Sequence, residues 1–201
     1  LGSGGFGVVF RATYKGRDVA VKEPHDSDCF QRDERLRAAF MREANNLHKM
    51  YHRNVVEFVG AVTVDHHGDA SYMMVTELLP ESLEGFLVGM QTLGAEERRE
   101  RALCIAMELA EGLAFLHSVR IVHRDIKPQN IMMDRRGSPK YIDFGLSKEK
   151  DSILPSRSST RLAGTIDWMS PEKKRGGAST SASDVYSLGL VFMNIVTGEK
   201  P

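Results

Sequence analysis

The sequence has only two cysteines, Cys29 and Cys104, among its 201 residues. Two cysteines are too few for a disulfide framework, and this pair does not have the CxxC spacing of many metal and redox sites. A small secreted fold held together by disulfides is therefore excluded. We expect a reducing, cytoplasmic setting for this segment.

Neither sign of charge dominates, and long apolar runs are absent. The 27 Lys and Arg residues balance 27 Asp and Glu residues, so the formal net charge is zero. A neutral chain has no general field that would attract nucleic acid or an anionic membrane. No apolar run approaches the roughly 20 residues that span a bilayer. We expect no nucleic-acid partner and no membrane contact from this segment, although a longer parent protein could be tethered to a membrane.

The length suits one catalytic unit made of two small lobes, because 201 residues are too few for several independent domains. The first part has β-branched and aromatic runs separated by turn residues, which predict a small antiparallel sheet, and an amphipathic pattern that predicts a helix over residues 34–50. The predicted strands cover residues 8–10, 13–14, 19–21, 55–64 and 72–76. Strand-like residues give way to helix-like residues near Leu79 and Pro80, where we place a boundary between a strand-rich and a helix-rich part.

The second part is rich in helix signals. Residues 102–117 are apolar on most faces, which predicts a helix buried in a helical core. Residues 147–161 carry Ser, Lys, Asp and Arg without periodicity, and we expect a mobile loop there. The stretch from Ser181 to Asp184 is similar to a capping box, so a helix is predicted from there to Thr197, ending at Gly198.

Residues 2–7 match the GxGxxG pattern through Gly2, Gly4 and Gly7. Glycine lets backbone amides approach a phosphate without obstruction by a side chain. A flexible turn is one alternative, and a dinucleotide-binding loop of an oxidoreductase is another, but such a loop leads into a helix. Here the strand-like residues 8–10 follow, which favours a β-hairpin lid over phosphates.

A lysine and a glutamate form the next candidate pair. Lys22 follows the apolar strand residues 19–21 and is placed to neutralise phosphate charge if a carboxylate holds it. Glu43, on the predicted amphipathic helix, is the candidate partner. The alternatives are a solvated strand lysine and an exposed helix glutamate.

Residues 123–130 read His-Arg-Asp-Ile-Lys-Pro-Gln-Asn, the strongest signal in the chain. Asp125 can orient an attacking hydroxyl and accept its proton, and Lys127 can offset γ-phosphate charge in the transition state. Asn130 supplies an amide oxygen, a ligand type that Mg²⁺ prefers. Asp143, followed by Phe144 and Gly145, adds a carboxylate at a strand end and completes a two-ligand magnesium site.

Together these motifs resemble the eukaryotic-type protein kinase family across residues 1–201. The resemblance implies an α+β, two-lobed kinase fold. Residues 1–79 would form an antiparallel N-lobe sheet with one helix and the hinge, and residues 80–201 would form part of a mostly helical C-lobe. The implied activity is transfer of the γ-phosphoryl group of ATP, with Mg²⁺, to protein hydroxyls.

The resemblance also implies an adenine pocket. Thr76 would be the gatekeeper, small enough to admit bulky inhibitors, while the Glu77 carbonyl and the Leu79 amide would contact adenine. Apolar side chains would clasp the ring, namely those of Leu1, Val9, Ala20 and Met132. Asp184 would support the backbone of the catalytic loop.

The substrate class and its regulation follow from finer features of the same resemblance. Lys127 and Pro128 after Asp125, with Thr165 in the segment that faces substrate, resemble the corresponding residues of Ser/Thr kinases. Several short stretches of the sequence look most like those of the tyrosine-kinase-like group. Dual specificity and a pseudokinase scaffold stay open as alternatives. A phosphate on the loop could pair with Arg124, so we predict switching by an upstream kinase or by autophosphorylation. The candidate positions are Ser158, Ser159 and Thr160.

The family's final helices are missing from this sequence. The resemblance implies that an arginine beyond residue 201 pairs with Glu172 in complete relatives. In this chain, Ser170 stands where the family usually has alanine. This segment would leave the Glu172 carboxylate without that arginine partner, which is costly if the site stays buried, so we expect poor stability of the segment in isolation.

Overall fold

The structure, a computed structural model, describes residues 2–4, 7–25, 33–144, 148–149 and 166–201. Leu1 and most of the predicted loop over residues 147–161, including its three candidate phosphorylation sites, lie outside the described residues. The described part of that loop, Lys148–Glu149, is a short strand and not a loop. The chain divides into two compact units. One comprises Leu1–His52 and Val56–Leu79, and the other comprises Arg53–Val55 and Pro80–Pro201.

The first unit is built on a five-stranded antiparallel sheet in the order β1-β2-β3-β5-β4. The strands are β1 (Gly2–Gly4), β2 (Gly7–Tyr14), β3 (Arg17–Glu23), β4 (Phe58–Val64) and β5 (Ala70–Glu77). Among the described residues of this unit, the helix α1 (Glu34–Lys49) accompanies the sheet, and the Asp33 side chain caps it by accepting a 2.8 Å hydrogen bond from the Arg35 amide. A sheet and one helix are the elements that the sequence predicted for this part.

The second unit is mainly helical. Its helices are α2 (Leu83–Met90), α3 (Ala95–Ser118), α4 (Pro171–Lys174) and α5 (Ser181–Thr197). Its strands are short: β6 (Glu81–Ser82), β7 (Ile121–Val122), β8 (Ile131–Met133), β9 (Pro139–Tyr141) and β10 (Lys148–Glu149). Strands β6, β8 and β9 form one small sheet, and β7 pairs with β10. The predicted α+β class is confirmed.

Helix α3 forms the centre of the second unit, since Ile105, Leu109 and Leu116 are almost completely buried. It begins at Ala95, well before the predicted start at Ala102. The first turns carry mostly charged side chains, and a solvated helix segment gives no apolar periodicity to detect.

In the described ranges, no helix combines the length and the apolar content that a membrane crossing requires.

One predicted strand boundary is wrong. Strand β4 begins at Phe58, whereas Val55 forms an isolated parallel bridge with Tyr141 of the second unit. The neighbouring Asn54 is fully buried, and its Nδ2 donates hydrogen bonds to Glu108 Oε2 (3.0 Å) and to the Pro139 carbonyl (2.9 Å). These contacts hold the segment before β4 against α3 and β9. Local sequence preferences do not reveal such long-range contacts.

The predicted cap of α5 also needs correction by one residue. Thr180, not Ser181, is the N-cap: its hydroxyl accepts from the Ser183 amide at 3.3 Å, and the Ser183 hydroxyl accepts from the Thr180 amide at 3.2 Å. The predicted end is confirmed, because the helix stops at Gly198, whose φ of +77° favours glycine. The box is therefore Thr-x-x-Ser.

Candidate active site

The glycine-rich segment forms an antiparallel hairpin. Gly2 pairs with Val9 and Gly4 with Gly7, so β1 and β2 are antiparallel neighbours. At Gly7, φ is +154°, and an added Cβ would lie 1.8 Å from the carbonyl oxygen of Glu23. Only glycine fits there. The loop leads into a strand and not a helix, which removes the structural basis for the dinucleotide-binding alternative.

Lys22 on β3 and Glu43 on α1 form an ion pair, with 3.5 Å between Nζ and Oε1. The two side chains are 26% and 13% exposed, respectively, so water screens this pair less than a surface pair. The predicted partnership is thus present within the first unit. It fixes an ammonium group on the sheet.

Four predicted ATP-binding residues lie on one face of the sheet. Val9 is directly opposite Lys22, and Ala20 is directly opposite Thr76. Directly opposed residues of an antiparallel sheet share a face, as do Ala20 and Lys22, which are two positions apart on β3. The predicted apolar contacts, the gatekeeper and the lysine are therefore neighbours.

The end of β5 is held by Glu57. The Glu77 amide donates to the Glu57 carbonyl at 3.0 Å, and the Glu77 carboxylate accepts from the Glu57 amide at 2.8 Å. The Thr76 hydroxyl donates to the Glu77 carbonyl at 3.4 Å. Leu79 is buried. No sequence pattern indicated Glu57, because its role depends on the pairing of distant segments.

In the second unit, Asp125 lies at the centre of a polar network. Its Oδ2 accepts from Asn130 Nδ2 at 2.8 Å and lies 2.8 Å from Lys127 Nζ. The Asn130 amide group also donates to the Asp125 backbone carbonyl at 2.8 Å. Asp125 Oδ1 is buried and has no hydrogen-bond partner among the described residues. One carboxylate oxygen is thus held by two side chains, whereas the other makes no hydrogen bond to the described residues.

Asp184, at the start of α5, supports the backbone of this loop, as the resemblance implies. The amides of His123 and Arg124 each donate to its carboxylate at 2.8 Å. His117 Nε2, on α3, lies 3.0 Å from the same carboxylate. Asp184 is 1% exposed, so these contacts are made out of water. Sequence reasoning missed His117, whose part in the network depends on the packing of α3 against α5.

Asp143 is connected to the same loop through the backbone. The Ile142 amide donates to the Asn130 carbonyl at 3.0 Å, and His123 Nε2 lies 3.0 Å from the Ile142 carbonyl. Asp143 itself has a φ of +60°, which is uncommon for a residue other than glycine. Phe144 is 1% exposed and lies against the ring of His123, with 5.1 Å between ring centroids. These bonds bring Asn130 and Asp143 close together.

These two side chains fit the requirements of Mg²⁺. Asn130 uses its Nδ2 to hold Asp125, so its amide oxygen is the part that suits a cation, and Asp143 adds a carboxylate. Among the described residues, no group of three His, Cys, Asp or Glu side chains could hold a metal ion. A two-ligand site suits Mg²⁺, which usually keeps several waters and substrate phosphates.

Met132 differs in burial from its neighbours on β8. Ile131 and Met133 are completely buried, whereas Met132 is only half-buried on the other face of the strand. It pairs with Ser82 on β6 and with Lys140 on β9. Its apolar side chain is therefore accessible for a contact outside the core.

The Glu172 carboxylate has a hydrogen-bond partner within the chain, and the poor stability expected of the segment stays a prediction. Glu172 is exposed, and its Oε1 accepts a hydrogen bond of 2.7 Å from the Ser183 hydroxyl. An exposed carboxylate remains solvated and does not need a salt-bridge partner. The cost of a buried, unpaired charge therefore does not apply.

The glycine hairpin, the Lys22–Glu43 pair and the loop around Asp125 are the parts from which a phosphotransferase of the kinase type is built. The chain belongs to the protein kinase domain family, whose model matches residues 1–201. The family predicted from the motifs is confirmed.

Three relatives of known name cover the whole of this chain. A probable serine/threonine-protein kinase of Dictyostelium discoideum is 36% identical over 201 residues, which make up 12% of that protein. The serine/threonine-protein kinase CTR1 of Arabidopsis thaliana is 38% identical over 206 residues, and the chain covers 24% of it. The probable serine/threonine-protein kinase SIS8 of the same plant is 37% identical over 203 residues, with 19% covered. The chain thus spans about a quarter or less of these relatives.

Proposed function

We propose that this chain transfers the γ-phosphoryl group of ATP to Ser and Thr hydroxyls of protein substrates. The observation that carries the proposal is the Asp125 carboxylate, which is buried and held through Oδ2 by Asn130 and Lys127. Its other oxygen, Oδ1, has no partner among the described residues. That arrangement suits a group that orients a hydroxyl and takes up its proton.

In the proposed reaction, the substrate hydroxyl oxygen attacks the γ-phosphorus of ATP. The new O–P bond forms as the bond between the γ-phosphorus and the β–γ bridging oxygen breaks, and ADP leaves with that electron pair. Asp125 Oδ1 accepts the hydroxyl proton. Lys127, 2.8 Å from Asp125 Oδ2, offsets charge on the transferred group.

The first unit supplies the proposed nucleotide-binding groups. Lys22, held by Glu43, binds the α- and β-phosphates, and the backbone of the glycine hairpin covers them. Gly2, Gly4 and Gly7 are the hairpin positions proposed for this role. Adenine contacts are proposed for Leu1, Val9, Ala20, Thr76, Glu77, Leu79 and Met132.

Asn130 and Asp143 are the proposed magnesium ligands. When bound, Mg²⁺ would neutralise charge on the phosphate oxygens of ATP. The chain's own contribution is to hold the two ligands together, through the bond from the Ile142 amide to the Asn130 carbonyl. Removal of divalent cations with EDTA is expected to stop phosphoryl transfer, and added Mg²⁺ should restore it.

The Ser/Thr preference is supported by the names of the relatives, which are serine/threonine-protein kinases. The order Asp125, Ile126, Lys127, Pro128 agrees with this preference. Phosphoamino-acid analysis of labelled substrate distinguishes Ser/Thr from dual specificity. The cytoplasmic location predicted from the scarcity of cysteine stays a prediction.

Regulation by loop phosphorylation has one supporting observation in the described residues. The Nε of Arg124 is buried without a hydrogen-bond partner there, and burial lowers the pKa of its guanidinium, although the charge of Asp184 opposes that shift. A phosphate would satisfy such a buried cation. We propose that phosphorylated Ser158, Ser159 or Thr160 provides it.

The decisive experiment measures transfer of radiolabelled γ-phosphate to protein in the presence of Mg²⁺. The unmodified protein is compared with Asp125→Asn and with Asp167→Asn, an exposed aspartate in the short 3₁₀ turn Ile166–Trp168. We expect transfer to fall by about 10²–10⁴-fold in Asp125→Asn, the usual contribution of a general base, and to persist in Asp167→Asn. Nucleotide binding without transfer by the unmodified protein would instead identify a pseudokinase scaffold.

A further inference from the structure

Lys173 in α4 makes a contact that the motifs do not explain. Its Nζ donates a hydrogen bond to the backbone carbonyl of Arg124, the residue before Asp125. Lys173 is half-buried, whereas the next residue, Lys174, is exposed. A lysine on a short surface helix normally extends into water, because burial of its ammonium group is unfavourable. The inward position of Lys173 therefore requires a compensating interaction.

The peptide group that Lys173 contacts belongs to a strained residue. Arg124 has a φ of +74°, a conformation that is uncommon for residues with a side chain. Its amide donates to Asp184 at 2.8 Å, and its carbonyl accepts from Lys173. Charged side chains from α5 and α4 thus hold both backbone polar groups of Arg124, and such charge-assisted bonds are stronger than neutral ones.

The Arg124 carbonyl and the Asp125 amide belong to the same peptide unit. The Asp125 amide donates to His123 Nδ1 at 3.3 Å, and the Lys173 ammonium holds the oxygen at the opposite edge of the same peptide plane. Because a peptide unit is planar, fixing both of its polar groups fixes its rotation. The orientation of this plane sets the direction in which the Asp125 side chain leaves the backbone.

The charges around Lys173 are consistent with this arrangement. Burial lowers the pKa of the Lys173 ammonium, whereas the negative charges of Asp125 and Asp184 act in the opposite direction. Arg124 and Lys127 are the neighbouring cations, and they also lower this pKa. The two carboxylates therefore help to keep the proton on a partly desolvated ammonium group.

We infer that Lys173 is a positioning residue for Asp125, acting through its bond to the Arg124 carbonyl. The inference rests on the proposed function, since Asp125 is the group being positioned. As a positioning residue, Lys173 contacts neither the nucleotide nor the substrate hydroxyl. Its loss should therefore lower kcat and leave the binding of ATP nearly unchanged.

The test compares Lys173→Met, Lys173→Arg and the matched control Lys174→Met in purified protein that carries this chain. We expect kcat of Lys173→Met to fall about tenfold, with KM for ATP within about twofold of the unmodified protein. Lys173→Arg keeps the donor and should recover most of the loss, and Lys174→Met should behave as the unmodified protein. Equal kcat in Lys173→Met and Lys174→Met would overturn the inference.

Hydrogen exchange of the peptide covering residues 123–126 gives a second readout, independent of catalysis. Faster exchange in Lys173→Met than in Lys174→Met is expected, and equal exchange would count against the positioning role. If the unmodified protein transfers no phosphate, the proposed function fails, while the exchange comparison still decides whether Lys173 orders the loop. A rise in the KM for ATP by the same factor as the fall in kcat would also overturn the inference.

Discussion

The carboxylate of Asp184 accepts a 2.8 Å hydrogen bond from the amide of Arg124, a residue held at a φ of +74°. The same carboxylate accepts from the His123 amide, so one buried side chain ties down two consecutive backbone donors. Loss of this support removes two charge-assisted bonds and releases the strained backbone.

We expect Asp184→Asn to lower stability and activity together. An amide cannot accept from both backbone donors, and one unsatisfied buried donor costs about 1–3 kcal/mol. For a chain of this size, each kcal/mol lowers Tm by about 2–4 °C. Thermal unfolding and the labelled-phosphate assay would measure both effects, with Asp167→Asn as the exposed control. Unchanged Tm would contradict this account of the loop.

The ion pair of Lys22 and Glu43 leads to a second prediction. Lys22→Met should reduce phosphoryl transfer by about 10²-fold or more, because an electrostatic contact to the substrate is lost. Glu43→Gln should cause a smaller loss, since the lysine keeps its charge and loses only its anchor. Steady-state kinetics with Lys49→Met and Glu34→Gln as exposed controls would test this. A larger defect in Glu43→Gln than in Lys22→Met would contradict the assigned roles.

Loop phosphorylation gives a third prediction. Replacing Ser158, Ser159 and Thr160 together with Ala should remove the increase in activity that follows prior phosphorylation, because Arg124 would have no phosphate to bind. Phosphatase treatment should lower the activity of the unmodified protein and leave that of the triple variant unchanged. Retention of phosphorylation-dependent activity by the triple variant would rule out these three sites.

Tyr141 gives a prediction about pH. It is fully buried, its hydroxyl donates to the Leu109 carbonyl at 2.9 Å, and burial raises its pKa well above the usual value for tyrosine, with a further rise from the charge of Asp184. The folded state therefore keeps a proton that the unfolded chain loses near pH 10. The resulting stability is complete below that pH and is lost as pH rises through the folded-state pKa.

Tyr141→Phe should accordingly cost about 1 kcal/mol at neutral pH, the usual net value of one hydrogen bond. The variant should also show a shallower loss of stability under alkaline conditions. Denaturant unfolding at neutral and alkaline pH would measure both effects. The control is Tyr51→Phe, because Tyr51 is 92% exposed. Equal alkaline slopes for Tyr141→Phe and the unmodified protein would show that this hydroxyl is not responsible.

The gatekeeper prediction concerns inhibitors. Thr76 lies directly opposite Ala20 in the sheet, on the face shared with Lys22. Thr76→Met adds a longer side chain there, so bulky ATP-competitive inhibitors should bind more weakly while KM for ATP changes little. Dose–response curves with Thr13→Met, a substitution at an exposed position of β2, would provide the comparison. Equal inhibitor sensitivity of both variants would refute the assignment.

Much of the fold was predictable wherever local chemistry is decisive. The close approach of Gly7 to the Glu23 carbonyl depends on glycine itself, and the end of α5 at Gly198 depends on a left-handed cap. The predictions failed where local patterns were silent or ambiguous. The charged start of α3 gave no apolar period, and the apolar residue Val55 had the character of a strand but pairs with Tyr141.

By itself, the sequence determined the family and the chemical groups of the site, because motifs such as residues 123–130 place required side chains at short, fixed separations along the backbone. Only the tertiary structure decided which distant groups support them. The family resemblance had implied the role of Asp184, but His117 reaches the Asp184 carboxylate and Lys173 reaches the Arg124 carbonyl only through the packing of their helices. Contacts of that kind depend on how helices pack, and no short-range pattern in the chain encodes them.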